Sequence, residues 1–234
     1  MTPRELEGNV VDGGLSGRSV VVFGATGALG AGVAAAFADA GAKVLGADRV
    51  TPAAERRLAG VSHQVVDVLD DSAVAALFDA GPAPWAVLNT IGGYAPRRPV
   101  AELDPAELTA QLQLNLVSAA IITGHALRVM QAAGQGRIVH TASRAGVVSA
   151  GAGFAYSVSK LGVLHLVAMA ADEVRETGIT VNCVVPSIID TPANRAAMPA
   201  ANHQAWPKVP DIARSYVYLA SPDAGLVNGA AIPV

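Results

Sequence analysis

A single cysteine, Cys183, stands in a chain of 234 residues, so no internal disulfide can form, and a reducing compartment, the cytoplasm, is expected. Rings are equally scarce: aromatic residues make up 4%, and a core has to be assembled from aliphatic side chains. Charged residues are only 15% of the chain, and the net charge of −3 leaves no basic footprint for nucleic acid. His63, His125, His140, His165 and His203 fall at no metal-ligand spacing, and no metal is expected. The opening MTPRELEGNVVDGG has no apolar leader, which argues against a secretory signal. The longest uncharged run, 108–127, carries Thr109, Gln111, Gln113, Asn115, Ser118, Thr123 and His125, each expensive in hydrocarbon, so it reads as a buried helix and no membrane partner is expected.

What the chain does have is a repeated alternation in a sequence that is 52% hydrophobic. Ser19-Val20-Val21-Val22-Phe23 is a continuous apolar run of the kind buried on both faces of a parallel sheet. A helix follows over 29–40, with Gly41 where a left-handed cap is wanted, and then a strand over 43–47. Further strands are expected at 64–66, 85–89, 137–141, 180–185 and 230–234, and further helices at 72–80, 104–133, 154–177 and 211–220. Such alternation predicts an α/β fold: a single-domain doubly wound parallel sheet, or Rossmann fold, with helices on both faces. The domain is expected over 15–234, after a polar tail at 1–14. The stretch 186–210, rich in proline, asparagine and alanine, is too long for an ordinary connection and is expected to form a substrate loop or lid.

After the first strand the chain reads Gly24-Ala25-Thr26-Gly27-Ala28-Leu29-Gly30. Glycines between a strand and a helix let the backbone turn sharply against a pyrophosphate, while the free amides of the helix supply donors. Asp48, at the end of the second strand, can accept two hydrogen bonds from an adenosine ribose and repel a 2′-phosphate, which favours NAD(H) over NADP(H). Arg49 beside it pulls the other way, because a guanidinium pairs with phosphate. Asp67, after the third strand, is placed either to meet an adenine edge or to cap the next helix. Tyr156 and Lys160, four residues apart on an expected helix, share one face. A cation there is expected to lower the phenol pKa and so make Tyr156 a usable general acid or base. Ser143, thirteen residues before Tyr156, can hold a substrate oxygen beside it. Arg97, Arg98, Arg144 and Arg195 are candidates for an anionic substrate, the last two standing nearer the expected cleft; Tyr94 and Trp206 are candidates for stacking on a flat one, or for packing the lid.

Gly24-x-x-Gly27-x-x-Gly30, Asn89-Thr90-Ile91-Gly92, Asn115, Ser143, Tyr156-x-x-x-Lys160 and the segment 186–191 follow the order and spacing of the short-chain dehydrogenase/reductase family, which the chain resembles from about residue 15 onward. In Val22 to Gly30, in Gly92-Gly93-Tyr94 and in the run from Asp190 to Trp206 it is most similar to the dihydropteridine reductase branch. Ser187 departs from that pattern, standing where the family usually has glycine. Ser143 is a second departure, because the branch's animal members lack that serine and general carbonyl reductases keep it. The resemblance implies hydride transfer to or from a carbonyl or alcohol carbon, with a quinonoid dihydropterin among the substrates. Tyr156 would be the general acid or base, Lys160 would bind the nicotinamide ribose, Ser143 would orient the substrate and Asn115, kinked into the long helix, would hold a relay water. Cofactor contacts are implied from Gly24, Thr26, Gly27, Ala28, Leu29, Gly30, Asp48, Arg49, Asp67, Val68, Asn89, Ile91, Gly92, Tyr156, Lys160, Pro186, Ile188 and Thr191. A homodimer or homotetramer is implied, pairing through the helices at 104–133 and 154–177. The competing reading is a catalytically inactive dinucleotide sensor or scaffold, which would need the glycine turn and Asp48 but not Ser143, Tyr156, Lys160 and Asn115 together.

Overall fold

The four buried residues Val20 to Phe23 supply apolar side chains to two layers at once. Period-two alternation sends Val21 and Phe23 into one core and Val20 and Val22 into the other. They lie on β1 (Ser19–Phe23), an interior strand of a wholly parallel sheet in the computed structural model, which describes residues 13–95, 98–148 and 153–234. The other strands are β2 (Lys43–Asp48), β3 (Val61–Val65), β4 (Ala86–Asn89), β5 (Gly136–Thr141), β6 (Ile179–Val185) and β7 (Ala231–Pro233), in the spatial order β3-β2-β1-β4-β5-β6-β7. Most of the expected tail at 1–14, and Arg97, lie outside the described residues.

Helices cover both faces. One core is closed by α1 (Ala28–Asp39) and α7 (Val209–Ala220), which bury Val33, Phe37, Ile212 and Tyr216. The other is closed by α2 (Asp71–Asp79), α4 (Ser118–Ala133) and α5 (Phe154–Glu173) through Phe78, Ile122, Met130, Val163 and Val167. Each such side chain contributes about 1.5–3 kcal/mol of burial. Phe23 and Phe78, two of the few rings, meet at 6.1 Å between centroids. Two helical stretches, Pro105–Ala133 and Phe154–Glu173, are long and apolar enough to cross a membrane by length and composition, yet their apolar residues close this core.

Three local expectations need correction. The long helix expected at 104–133 is two helices, α3 (Pro105–Leu112) and α4, joined through a π-helical turn at Gln113–Val117. Strand β3 comes three residues earlier than expected at its start, because it is an edge strand and Val66, the buried apolar residue, follows it. Helix α5 ends at Glu173, not 177: Val174 is fully buried, and Thr177 bonds back to its carbonyl through both N–H (3.0 Å) and Oγ1 (2.8 Å), folding the chain into a turn. Gly41 (φ +79°) and Gly134 (φ +69°) stop α1 and α4 in the left-handed conformation that only glycine adopts cheaply. The stretch 186–210 contains one more short helix, α6 (Pro192–Ala197). The chain leaves β1 and β4 toward opposite faces of the sheet, so a crevice opens beyond the carboxyl ends of these neighbours, which is where such sheets hold ligands.

Candidate active site

The glycine turn opens that crevice. Gly24 adopts φ +82°, and a Cβ on it would lie 2.8 Å from Thr90 Oγ1. At Gly30 a Cβ would lie 2.1 Å from the Gly24 carbonyl oxygen, so only glycine lets α1 begin this close to β1. Gly27 precedes Ala28 and Leu29 and offers no side-chain cap, which leaves the leading amides of α1 without a side-chain acceptor. That is a cradle fitted to a pyrophosphate. Asp48 reaches back over it: Oδ2 accepts from Thr26 N (3.0 Å) and Thr26 Oγ1 (2.6 Å), and Oδ1 from Arg49 N (2.7 Å). Beside it a recess of about 380 Å³ is lined by Thr26, residues 50–53, Glu55 and Arg56. Asp67 does not cap α2; Asp70 does, accepting from Ser72 and Ala73, while Asp67 is exposed and accepts from Leu69 N at 3.0 Å. Val68 turns its side chain into the core, so only its backbone can face a ligand.

Beyond β4, a buried chain of polar groups holds Asn89. Thr123 Oγ1 gives its only hydrogen to the Ala119 carbonyl (2.6 Å) and so accepts from His140 Nε2 (2.9 Å). His140 Nδ1 is therefore bare and accepts from Asn89 Nδ2 (3.2 Å), and Asn89 Oδ1 accepts from Ile91 N (3.0 Å). His140, one of the histidines matched to no function in the sequence, thus orients the segment that leads to Gly92. Burial, and then the Lys160 ammonium, push its pKa down from 6.5 to about 4. Between pH 6.5 and 4 the unfolded chain takes up a proton that the folded ring refuses. His140 accordingly contributes stability that is full above pH 6.5 and lost by pH 4, on the order of 3 kcal/mol. Urea midpoints across this window should fall less steeply in His140→Gln than in wild type; parallel slopes would refute the assignment.

Ser143, Tyr156, Lys160 and Asn115 converge on one place. The Ser143 hydroxyl accepts from Ala145 N (3.2 Å) and stands beside the Tyr156 phenol, and the Tyr94 ring packs edge-on against Tyr156 at 5.3 Å. Lys160 is buried and donates from Nζ to the Thr141 carbonyl at 2.9 Å. A Cβ on Gly92 would lie 2.8 Å from both Lys160 Nζ and Asn115 Oδ1, so glycine there keeps the ammonium and the amide within reach of one gap. Asn115 is fully buried on the π-helical turn. Its Oδ1 accepts from Gly93 N (3.0 Å), and its Nδ2 faces Gly93 O (3.2 Å), Gln111 Oε1 (3.0 Å) and Ser159 Oγ (3.0 Å). Neither Gln111 nor Ser159 was a candidate from the sequence: Gln111 lies one helical turn before Asn115, and Ser159 comes to it from α5.

The tyrosine departs from expectation in one respect. Its pKa lies above the ordinary 10, raised by burial, lowered in part by the neighbouring Ser143 hydroxyl and raised again by Tyr94. The expected lowering by Lys160 is not seen. The ammonium points to the β5 carbonyl, and burial pushes Lys160 itself down to about 8. Of the loop residues, the Pro186 carbonyl accepts from Arg144 N (3.0 Å), Ile188 is exposed, and Thr191 caps α6 through Oγ1 (3.2 Å from Asn194 N). Arg195 is held by Asp190, with Nη2 at 2.8 Å, and Arg98 by Glu107 at 3.1 Å.

A doubly wound sheet with a glycine turn at its crevice and a serine, tyrosine and lysine beyond it defines a dinucleotide-dependent oxidoreductase. The family model described as enoyl-(acyl carrier protein) reductase matches residues 24–234. The cis-4-hydroxycyclohexanecarboxylate dehydrogenase of Sinomonas cyclohexanicum is 34% identical over 241 residues, covering 93% of this chain and 94% of that protein. The structure of levodione reductase aligns with a TM-score of 0.86 at 26% identity, covering 94% of this chain and 96% of that one. A structure described as an NAD(P)-dependent gluconate 5-dehydrogenase of Beutenbergia cavernae, holding NADP at low occupancy, aligns with a TM-score of 0.86 at 27% identity over 95% and 96% of the two chains. The chain belongs to the short-chain dehydrogenase/reductase family and is an NAD(P)-binding oxidoreductase.

Proposed function

We propose that the protein interconverts a ketone and a secondary alcohol on an apolar ring, with Tyr156 as the proton-transfer group. The observation that carries this is the Tyr156 phenol standing beside Ser143, with Lys160 buried one helical turn on. When bound, the dinucleotide gives or takes the hydride. Ser143 and Tyr156 hold the reacting oxygen, and the tyrosine hydroxyl protonates it in reduction or takes its proton in oxidation. Lys160 is the group to bind the nicotinamide ribose. A water between Lys160 Nζ and Asn115 Oδ1, which keeps one acceptor position, would return protons to the lysine.

For the dinucleotide itself, Gly24 to Gly30 would take the phosphates and Asp48 the adenosine ribose. Asp67 with the Val68 backbone would meet the adenine. Asn89, Ile91 and Gly92, with Pro186, Ile188 and Thr191, would line the nicotinamide end, under 186–210 as a lid. Asp48 is the basis for preferring NAD(H): its carboxylate, fixed by Thr26, faces any 2′-phosphate with like charge. Asp48→Ala should lower the ratio of NADH to NADPH affinity by about tenfold or more, read by fluorescence titration. A wild-type preference for NADPH would overturn this choice.

An apolar ring substrate is supported by Tyr94, Val147 and Ile188, exposed by 62%, 62% and 44%, and by the cyclohexane skeleton in the name of the Sinomonas relative. The pterin reading keeps one specific support, Tyr94 packed against Tyr156, where it can stack on a flat bicyclic ring. Single-turnover oxidation of bound NADH by a panel of cyclic ketones and quinonoid dihydropterin separates the two, and no turnover by any of them leaves the dinucleotide sensor. The reading includes a cytoplasmic homodimer or homotetramer, supported by apolar Leu161 and Met169 exposed on α5.

A further inference from the structure

Three described arginines stand in segments bordering the cleft, and two are already spoken for. Arg98 pairs with Glu107 and Arg195 with Asp190. Arg144 has no ion-pair partner among the described residues and is exposed. It directly follows Ser143, and its backbone is fixed on two sides: its N–H donates to the Pro186 carbonyl at 3.0 Å, and its carbonyl accepts from Val147 N at 3.0 Å. It lines a recess of about 500 Å³ with Val147, Val148, Val185, Ser187, Pro233 and Val234, and among the described residues it is the only charged side chain there. Val147 and Val148 are 62% and 41% exposed, so the wall is apolar surface open to a ligand. A volume of this size suits a small ring or short chain.

We infer that this recess takes the end of the substrate remote from the reacting oxygen and that Arg144 binds a carboxylate there, making the preferred substrate an oxo or hydroxy acid on an apolar ring or chain. The inference rests on the proposed reaction, in which Ser143 and Tyr156 hold the reacting oxygen. A guanidinium matches a carboxylate with two parallel hydrogen bonds. The valine and proline walls, which a bound hydrocarbon body would cover, favour a molecule with an apolar body and a single anionic end.

The test uses the full chain with NADH and a matched pair, 4-oxocyclohexanecarboxylate and its methyl ester. Wild type should prefer the acid by about 30-fold or more in kcat/KM, carried mainly in KM. In Arg144→Gln the acid-to-ester ratio should fall to about 3 or less, with Arg144→Lys between the two. A wild-type ratio near one, or an unchanged ratio in Arg144→Gln, overturns the inference. Calorimetric titration of cyclohexanecarboxylate into the NAD+-loaded protein separates the two levels of the reading. Neutral ketones turned over with no Arg144-dependent binding of the acid would sink the carboxylate site alone. Arg144-dependent binding with no ketone reduced would sink the ketone reading and keep the site.

Discussion

Tyr156→Phe should lower kcat/KM for ketone reduction by about 10³-fold, the range expected when a positioned proton donor is removed and equivalent to about 4 kcal/mol of barrier. The phenol hydroxyl has Ser143 as its polar neighbour, and losing that one interaction should cost stability no more than about 1 kcal/mol, so the loss would report chemistry. The raised pKa of Tyr156 has a directional consequence. Reduction needs the phenol protonated, and burial keeps it so at neutral pH; oxidation needs the phenolate, which burial disfavours. Wild-type reduction should therefore vary little between pH 6 and 8, while oxidation should accelerate as pH rises. Steady-state rates in both directions on one ketone and alcohol pair check this. A loss below about tenfold in Tyr156→Phe would remove the tyrosine from the chemistry.

The same tyrosine marks how far the sequence could be read. Its place on a helix with Lys160 one turn on was legible, because side chains four apart share a helix face. The direction of its pKa was not, because that depends on where the ammonium points, and the Thr141 carbonyl on a different element takes it. The sheet and its order of elements were legible from Val20 to Phe23 and the runs like it, since a strand buried on both faces has no polar alternation to confuse the pattern. Edge strand β3 was misplaced for the opposite reason: its residues are mostly exposed, and the buried Val66 that drew attention lies just past its end. His140 looked isolated because its partners, Asn89 and Thr123, come from a neighbouring strand and a helix. The break at Asn115 was expected only through the family resemblance, as a kink; nothing in the residues around it pointed to a π-helical turn. A turn that holds one extra residue is stabilised by what that residue reaches, and Asn115 reaches two other segments of the chain, at Gly93 and Ser159.

That dependence makes Asn115 the position where one substitution should disturb most. Asn115→Leu keeps the branched four-atom skeleton and is the larger side chain, so no cavity is created. The Gly93 N–H loses its acceptor, and the Gly93 carbonyl and Gln111 Oε1 lose a donor, in a place where Asn115 itself is fully buried. Stranded polar groups cost about 1–3 kcal/mol each, and with partial relaxation the net loss should be about 3 kcal/mol. The damage should also reach catalysis. Gly93 is pinned through Asn115, and its neighbours Gly92 and Tyr94 face Lys160 and Tyr156 respectively. Released, that segment would misplace the groups around the reacting oxygen, and kcat/KM should fall by about 10²-fold even at temperatures where the variant stays folded. Urea denaturation read beside steady-state kinetics decides it. A stability loss under about 1 kcal/mol would mean that the buried amide is not what holds the π-helical turn against the site.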